Sequence, residues 1–141
     1  MRLLHQDLRG HSLADFEGYV RRGGSARTLR ALYERLLAER FPGHGRVIDK
    51  TLNSSRSIGL ICGLFAQAPI IWVRRDPLDC AWSAYKTWFH SGIDWSWSLP
   101  AIAEHFLLED RLFAHWTALL GKRIHVVVYE EIGRASCRER V

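Results

Sequence analysis

Continuous apolar runs mark the strands of this chain. The clearest, "PIIWVRR" at residues 69–75, is typical of an inner parallel strand covered on both faces, and "RIHVVVY" at residues 123–129 predicts a second. A shorter β-branched run, "RVIDK" at residues 46–50, also ends in charged residues. We expect these runs to end at one edge of a sheet.

Helical spacing of apolar residues fills the first half of the chain. Ser12 is a plausible N-cap for a short helix over residues 13–20, which "RRGG" at residues 21–24 would end. Ser25 is a plausible N-cap of a longer helix, whose apolar stripe stops at "FPGHG". That stripe consists of Leu29, Leu32, Tyr33, Leu36 and Leu37.

Three further helices surround the predicted strands. "SIGLICGLF" at residues 57–65 indicates a buried helix whose glycines would allow close packing against the sheet. Asp76, Pro77 and Asp79 fit the N-cap, N1 and N3 positions of a helix that reaches about Trp88. The run at residues 99–122 predicts a long amphipathic helix. The alternation predicts an α/β fold, an open parallel sheet flanked by helices on both sides.

Composition limits the protein to one domain or part of one. The chain has 141 residues, of which 48% are hydrophobic, and a net charge of +5 that suggests an anionic partner. Its three cysteines lack metal-ligand spacing and predict free thiols in a reducing compartment. No apolar run approaches the length of a membrane span. We expect a soluble, cytoplasmic protein without metal or membrane partners.

The last residues, "EIGRASCRERV", have no apolar periodicity and resemble the translation of a sequencing adapter. We therefore interpret residues 1–131 as the authentic domain and residues 132–141 as an artefactual tail. Without that tail the net charge falls from +5 to +3. The remaining basicity is mild, so we expect no nucleic-acid partner.

Arg74 and Arg75 stand where a strand ends and a helix begins. Ligands of open α/β sheets bind at this edge, where a helix N-terminus offers free N–H groups and a positive dipole end. The guanidinium fork of Arg75 is suited to a phosphate monoester there. The alternative is a surface ion pair of Arg75 with Asp76 or Asp79.

The motif "RDPLDCAWS" at residues 75–83 resembles the 3′-phosphate signature of sulfotransferases that use 3′-phosphoadenosine 5′-phosphosulfate. The similarity is greatest to a bacterial branch that is often fused to tetratricopeptide repeats. In that family an arginine at a strand end and a serine eight residues later share the phosphate, which implies Arg75 and Ser83 here. Taken alone, Ser83 would be an ordinary helix serine.

A second segment, "VIDKTLNS" at residues 47–54, resembles the family's strand-end Asp-Lys. The resemblance implies that Lys50 reaches the sulfuryl group and the bridging oxygen, where it would stabilise the charge of the leaving phosphate. Thr51 and Leu52 depart from the family's usual apolar residue and proline. "VVVYEE" also fits the family, and we interpret its Glu130 as a helix-cap or ion-pair residue.

The resemblance implies a sulfotransferase fold of the type of the P-loop NTPases, here incomplete. The family's Gly-rich phosphosulfate loop and its catalytic base should precede residue 46, and neither is evident; "RRGGSART" is better interpreted as a linker. His90 is the candidate base that we would test. The aromatic stretch around it, residues 87–97, would form either an acceptor wall or part of the core.

We therefore expect the parent protein to transfer a sulfuryl group from 3′-phosphoadenosine 5′-phosphosulfate to a hydroxyl or amine. Lys50 would be catalytic, and Arg75 and Ser83 would bind the donor. The acceptor would be a small molecule, a peptide or a glycan, and tetratricopeptide repeats would accompany the domain. We expect the 141-residue chain alone to show no turnover. The alternatives are a phosphate- or nucleotide-binding domain without transfer activity, and a fragment that only scaffolds.

Overall fold

The computed structural model describes residues 18–43, 45–51, 53–87, 89 and 93–132. The chain divides into two compact units, Met1–Ala68 and Pro69–Val141. Most of the predicted first helix, His90 and the tail after residue 132 lie outside the described residues. The main elements are α1 (Ala26–Arg40), α2 (Ile58–Leu64), β1 (Ile70–Arg74), α3 (Pro77–Lys86), α4 (Leu99–Leu120) and β2 (Ile124–Val128).

The first unit is built on α1, whose start and apolar stripe follow the prediction. The Ser25 side chain caps the helix by accepting a hydrogen bond from the Thr28 N–H at 3.1 Å. Within the stripe, Leu29 and Tyr33 are buried and form a small core with Leu64 of α2. The 3.6-residue period therefore correctly identified the face of α1 that is buried.

The helix α2 forms where the sequence predicts it, and within the first unit it packs on α1 through Leu64 and neighbouring apolar residues. A Cβ added at Gly63 would meet nothing within 4 Å. The expectation that glycine allows a close approach to a sheet is therefore wrong at Gly63, because the helix face that carries it faces open space.

The second unit contains β1 and β2, which pair in parallel from Ile70 opposite Ile124 to Arg74 opposite Val128. The connection between them passes through α3 and α4. One face of the sheet packs on α4, where the Trp72 and Phe113 rings meet edge to face at 5.1 Å. The predicted parallel pairing of these two strands is confirmed.

The other face of this sheet is not covered by any described residue. Ile71 and Val73 are 60% and 55% exposed. The expectation of an inner strand covered on both faces is therefore wrong for the described part of the chain. The apolar run predicted β1 correctly, but coverage depends on which elements pack against it, and the run itself carries no information on that.

Residues 46–50 do not form a strand, so Lys50 does not stand at a strand end as the sequence suggested. A strand needs a neighbour for its backbone hydrogen bonds, and among the described residues β1 and β2 pair only with each other. Ile48 is accordingly 81% exposed.

The long helix α4 begins and ends as predicted. Ser98 is its N-cap and accepts a hydrogen bond from the Ala101 N–H at 3.3 Å, with Pro100 in the first turn. Gly121 ends it with a φ of 51°, a left-handed value that favours glycine. The helix α3 is shorter than predicted, since it ends at Lys86.

Candidate functional site

The carboxyl ends of β1 and β2 lie side by side, because the strands are parallel and Arg74 is opposite Val128. The chain leaves β1 through Arg75 and Asp76 into α3, and it leaves β2 through a 3₁₀ turn, Tyr129–Glu131. This edge is where open α/β sheets bind their ligands. The candidate site is therefore the start of α3 together with the turn that follows β2.

The backbone donors at the start of α3 are occupied. The Asp76 carboxylate accepts from the N–H groups of Leu78 and Asp79 at 2.9 and 3.0 Å, and Pro77 has no N–H. The Asp76 N–H in turn donates to Glu130 Oε1 at 2.9 Å. The predicted caps of α3 and the capping role of Glu130 are confirmed, but the expectation of free N–H groups is wrong because carboxylates have taken them.

Arg75 has two contacts at this edge. Its Nη2 atom lies 3.5 Å from Asp79 Oδ2, and its guanidinium carbon lies 4.9 Å from the centre of the Tyr129 ring. The pair with Asp79 is the alternative that the sequence left open. At this length, and with the Arg75 side chain 38% exposed, it is a weak contact that leaves the guanidinium able to bind an anion.

Ser83 lies one turn beyond Asp79 on α3, on the same side of the helix because the two are four residues apart. It is half-buried, and its carbonyl accepts from Thr87 Oγ1 at 2.7 Å. Its own hydroxyl makes no hydrogen bond within the described part of the chain. Arg75, Asp79 and Ser83 thus follow one line along the start of α3.

Arg74 is used differently from its neighbour. Its Nη2 atom lies 2.9 Å from Asp110 Oδ1, and its guanidinium carbon lies 4.7 Å from the centre of the Phe113 ring, both on α4. Consecutive residues of a strand point to opposite faces of the sheet, so only one of two adjacent arginines can face α4. Arg74 therefore ties the strand end to α4 and leaves Arg75 for the site.

Lys50 lies in the first unit and Arg75 and Ser83 in the second. The Lys50 side chain is exposed and makes no hydrogen bond or ion pair with the described residues. Its neighbour Asp49 accepts from the Tyr33 hydroxyl at 2.7 Å and from Thr51 Oγ1 at 2.6 Å. That Lys50 shares a pocket with Arg75 and Ser83 stays a prediction.

A family model described as "Sulfotransferase family" matches residues 5–137. The chain belongs to the sulfotransferase family. The match covers nearly all of the 141 residues, including part of the segment interpreted as a foreign tail, and that interpretation stays a prediction. The family match supports the predicted α/β fold class, and the observed helices and parallel strands agree with it.

One curated relative is an uncharacterised protein of Aquifex aeolicus (strain VF5), 30% identical over 93 residues. The alignment covers 63% of this sulfotransferase-family chain and 12% of the relative's length. No solved structure shows a significant match to the chain.

Within the described residues, no group of histidine, cysteine, aspartate or glutamate side chains could hold a metal ion. Cys62 and Cys80 are free thiols, and burial, partly offset by Arg75, raises the pKa of Cys80. None of the helices among the same residues has the length and apolar character that crossing a membrane requires.

The aromatic stretch that follows α3 is described only in part. Trp95 stacks on the His105 ring of α4 at 3.9 Å, whereas Trp97 is exposed. Trp95 therefore packs against a helix, as the core alternative predicted.

Tyr129 is the residue of the site that sequence reasoning missed. The motif identified Arg75 and Ser83, and the sequence marked Glu130 only as a cap or ion-pair residue. The signal for Tyr129 was present, since an aromatic residue directly after a parallel strand comes to lie beside the end of the neighbouring strand. Its stacking on Arg75 holds the guanidinium at the strand end.

Proposed function

We propose that the parent protein transfers a sulfuryl group from 3′-phosphoadenosine 5′-phosphosulfate to an acceptor hydroxyl or amine. In this proposal Arg75 and Ser83 bind the 3′-phosphate of the donor, and Lys50 acts at its sulfuryl end. The acceptor is a small molecule, a peptide or a glycan. The proposal is supported by membership of the sulfotransferase family and by the arrangement of Arg75 and Ser83 at the start of α3.

The single observation that carries the donor assignment is the line of Arg75 and Ser83 along α3. Both offer hydrogen-bond donors that the described residues leave without full partners, and a phosphate dianion accepts several such bonds. Because the N–H groups of Asp76, Leu78 and Asp79 already donate to carboxylates, the phosphate would be bound at this helix start by side chains.

The chemistry of the proposed transfer asks three things of the chain. The 3′-phosphate must be held so that the donor is fixed in position, which Arg75 and Ser83 would do. Negative charge grows on the departing 5′-phosphate as the bond from its bridging oxygen to sulfur breaks, and the Lys50 ammonium would stabilise it. The acceptor must lose a proton to a base, for which the described residues offer no assigned group.

The test is a calorimetric titration with adenosine 3′,5′-bisphosphate and adenosine 5′-monophosphate. We expect the wild-type chain to prefer the 3′-phosphorylated nucleotide, and Arg75→Ala to remove about 2–4 kcal/mol of its binding free energy. The matched control is Arg74→Ala, which removes an adjacent arginine held by Asp110 and should leave the preference unchanged.

Three results would contradict the proposal. Equal affinity of the wild-type chain for both nucleotides would exclude a 3′-phosphate site. Equal losses from Arg75→Ala and Arg74→Ala would show that binding responds to net charge and not to the Arg75 fork. A preference for the 3′-phosphate without transfer by the intact parent protein would favour the phosphate-binding domain over the enzyme.

A further inference from the structure

The segment around Lys50 is held by side-chain hydrogen bonds and not by a strand. The Asp49 carboxylate accepts from the Tyr33 hydroxyl at 2.7 Å on Oδ2 and from the Thr51 hydroxyl at 2.6 Å on Oδ1. We call Tyr33, Asp49 and Thr51 the Asp49 network. Residues 46–50 form no backbone hydrogen bonds of a β-ladder, so the side-chain bonds of this network fix the residues on both sides of Lys50.

The Asp49 network is anchored in the core of the first unit. Tyr33 is 7% exposed and packs with Leu29 and Leu64, and its ring meets Phe65 edge to face at 5.4 Å. A ring held on all sides can point its hydroxyl in few directions. The hydrogen bond from Tyr33 therefore ties the Asp49 carboxylate to the helix α1.

The network continues beyond Lys50 along the chain. The Thr51 carbonyl accepts from Ser54 Oγ at 2.6 Å, which joins the segment to the 3₁₀ turn Ser54–Ser57. Asn53, between them, has a left-handed φ of 62°. Lys50 thus lies in a segment fixed at both ends, while its own side chain is exposed and makes no bond to the described residues.

The protonation states support a strong bond. Burial, followed by the hydrogen bond to Asp49, raises the pKa of Tyr33 well above its usual range. Burial opposes ionisation of Asp49, but hydrogen bonds to its carboxylate, including those from Thr51 and Tyr33, lower its pKa overall. At neutral pH a phenol therefore donates to a carboxylate, and such charge-assisted bonds are stronger than neutral ones.

We propose that the Asp49 network positions Lys50, so that Tyr33, Asp49 and Thr51 aim its ammonium group at the sulfuryl end of the donor. The aim of Lys50 rests on the proposed function, whereas its fixed position rests on the contacts themselves. Tyr33, Asp49 and Thr51 are positioning residues that act through Lys50.

The first experiment asks whether Lys50 has a fixed position. The chain has three lysines, Lys50, Lys86 and Lys122, so reductive methylation with ¹³C-formaldehyde gives few side-chain signals, and Lys50→Arg identifies the one of interest. We expect Tyr33→Phe and Thr51→Val each to move the Lys50 signal and to leave the Lys86 and Lys122 signals in place. An unmoved Lys50 signal in both variants would overturn the proposal.

The second experiment measures the affinity for 3′-phosphoadenosine 5′-phosphosulfate relative to adenosine 3′,5′-bisphosphate. We expect Lys50→Ala to lower this ratio, Tyr33→Phe to lower it about three- to tenfold, and Tyr33→Phe to have no further effect in the Lys50→Ala background. The matched control is Tyr19→Phe. Tyr19 packs against the same core, and its hydroxyl, which this variant removes, donates to the Ser25 carbonyl at 3.2 Å.

The outcomes separate the two proposals. If Lys50→Ala leaves the ratio unchanged while Tyr33→Phe still moves the Lys50 signal, the proposed role of Lys50 in transfer fails and the positioning by the Asp49 network stands. Suppose that Lys50→Ala lowers the affinity ratio. The proposal that the Asp49 network positions Lys50 then fails if Tyr33→Phe does not change the ratio, or if it lowers the ratio by the same factor with and without Lys50. Equal effects of Tyr33→Phe and Tyr19→Phe on the ratio would also overturn it.

Discussion

At the scale of single residues, Arg75 is shared among competing partners. Asp79 lies on the line between Arg75 and Ser83 and holds one end of the guanidinium at 3.5 Å, while Tyr129 stacks on its face. A phosphate bound by Arg75 and Ser83 would lie next to the Asp79 carboxylate and would compete with it for the same donors. In the proposed site Asp79 would therefore weaken the binding of the phosphate.

We expect Asp79→Asn to raise the affinity for adenosine 3′,5′-bisphosphate by about two- to fivefold, which corresponds to the loss of one exposed ion pair. Asparagine keeps the size of the side chain and removes its charge. Calorimetric titration at low ionic strength measures the change, and Asp94→Asn, at an exposed acidic residue of another turn, is the control. A lower affinity in Asp79→Asn would mean that Asp79 orients Arg75 for the phosphate and does not compete with it.

At the scale of elements, a hydrogen bond joins the start of α3 to the turn that follows β2. Glu130 accepts from the Asp76 N–H, and these residues are 54 positions apart in the chain. The bond fixes the first turn of α3 beside the turn that carries Tyr129, and so it sets where Arg75 leaves the sheet. Because Asp76 and Glu130 accept from the N–H groups at this helix start, an anion bound there would have to be contacted by side chains.

We expect Glu130→Ala to lower the free energy of unfolding by about 1 kcal/mol, because the Asp76 N–H loses its partner at a site that water can reach in part. Urea denaturation followed by circular dichroism measures the change. Glu131→Ala, in the same 3₁₀ turn, should cost much less, since its side chain makes no hydrogen bond with the described residues. Equal costs for the two variants would argue that the Glu130 bond has no energetic role.

At the scale of the whole molecule, one face of the sheet exposes apolar side chains to solvent. Ile71 and Val73 project from β1 with more than half of their surfaces exposed, and neither β1 nor β2 has a second neighbour among the described residues. Unpaired strand edges and apolar faces favour association with other chains.

We expect the 141-residue chain to associate at higher concentrations, and Ile71→Thr with Val73→Thr to reduce this association. Threonine preserves the β-branched shape that suits a strand and adds a polar group to the exposed face. Sedimentation velocity over a range of concentrations measures the change. Leu107→Thr, at an exposed apolar residue of α4, is the control, and an equal reduction by that variant would show that the sheet face is not the contact surface.

The sequence by itself determined the features that depend on near neighbours. The caps at Ser25, Asp76 and Ser98 each join a side chain to a backbone N–H within three residues, so the local residue types were enough to predict them. The same holds for the buried stripe of α1 and for the strands β1 and β2. The eight-residue spacing of Arg75 and Ser83 was likewise visible, because it depends only on their positions along the chain.

Only the tertiary structure decided what depends on distant neighbours. It placed α2 on α1, left residues 46–50 without a ladder, exposed one face of β1, and joined Tyr33 to Asp49 and Asp76 to Glu130. Those two bonds join residues 16 and 54 positions apart, and no local pattern specifies which distant partner a donor will meet. The physical reason is that burial and pairing depend on which surfaces compete for one another, and that competition takes place only once the chain is folded.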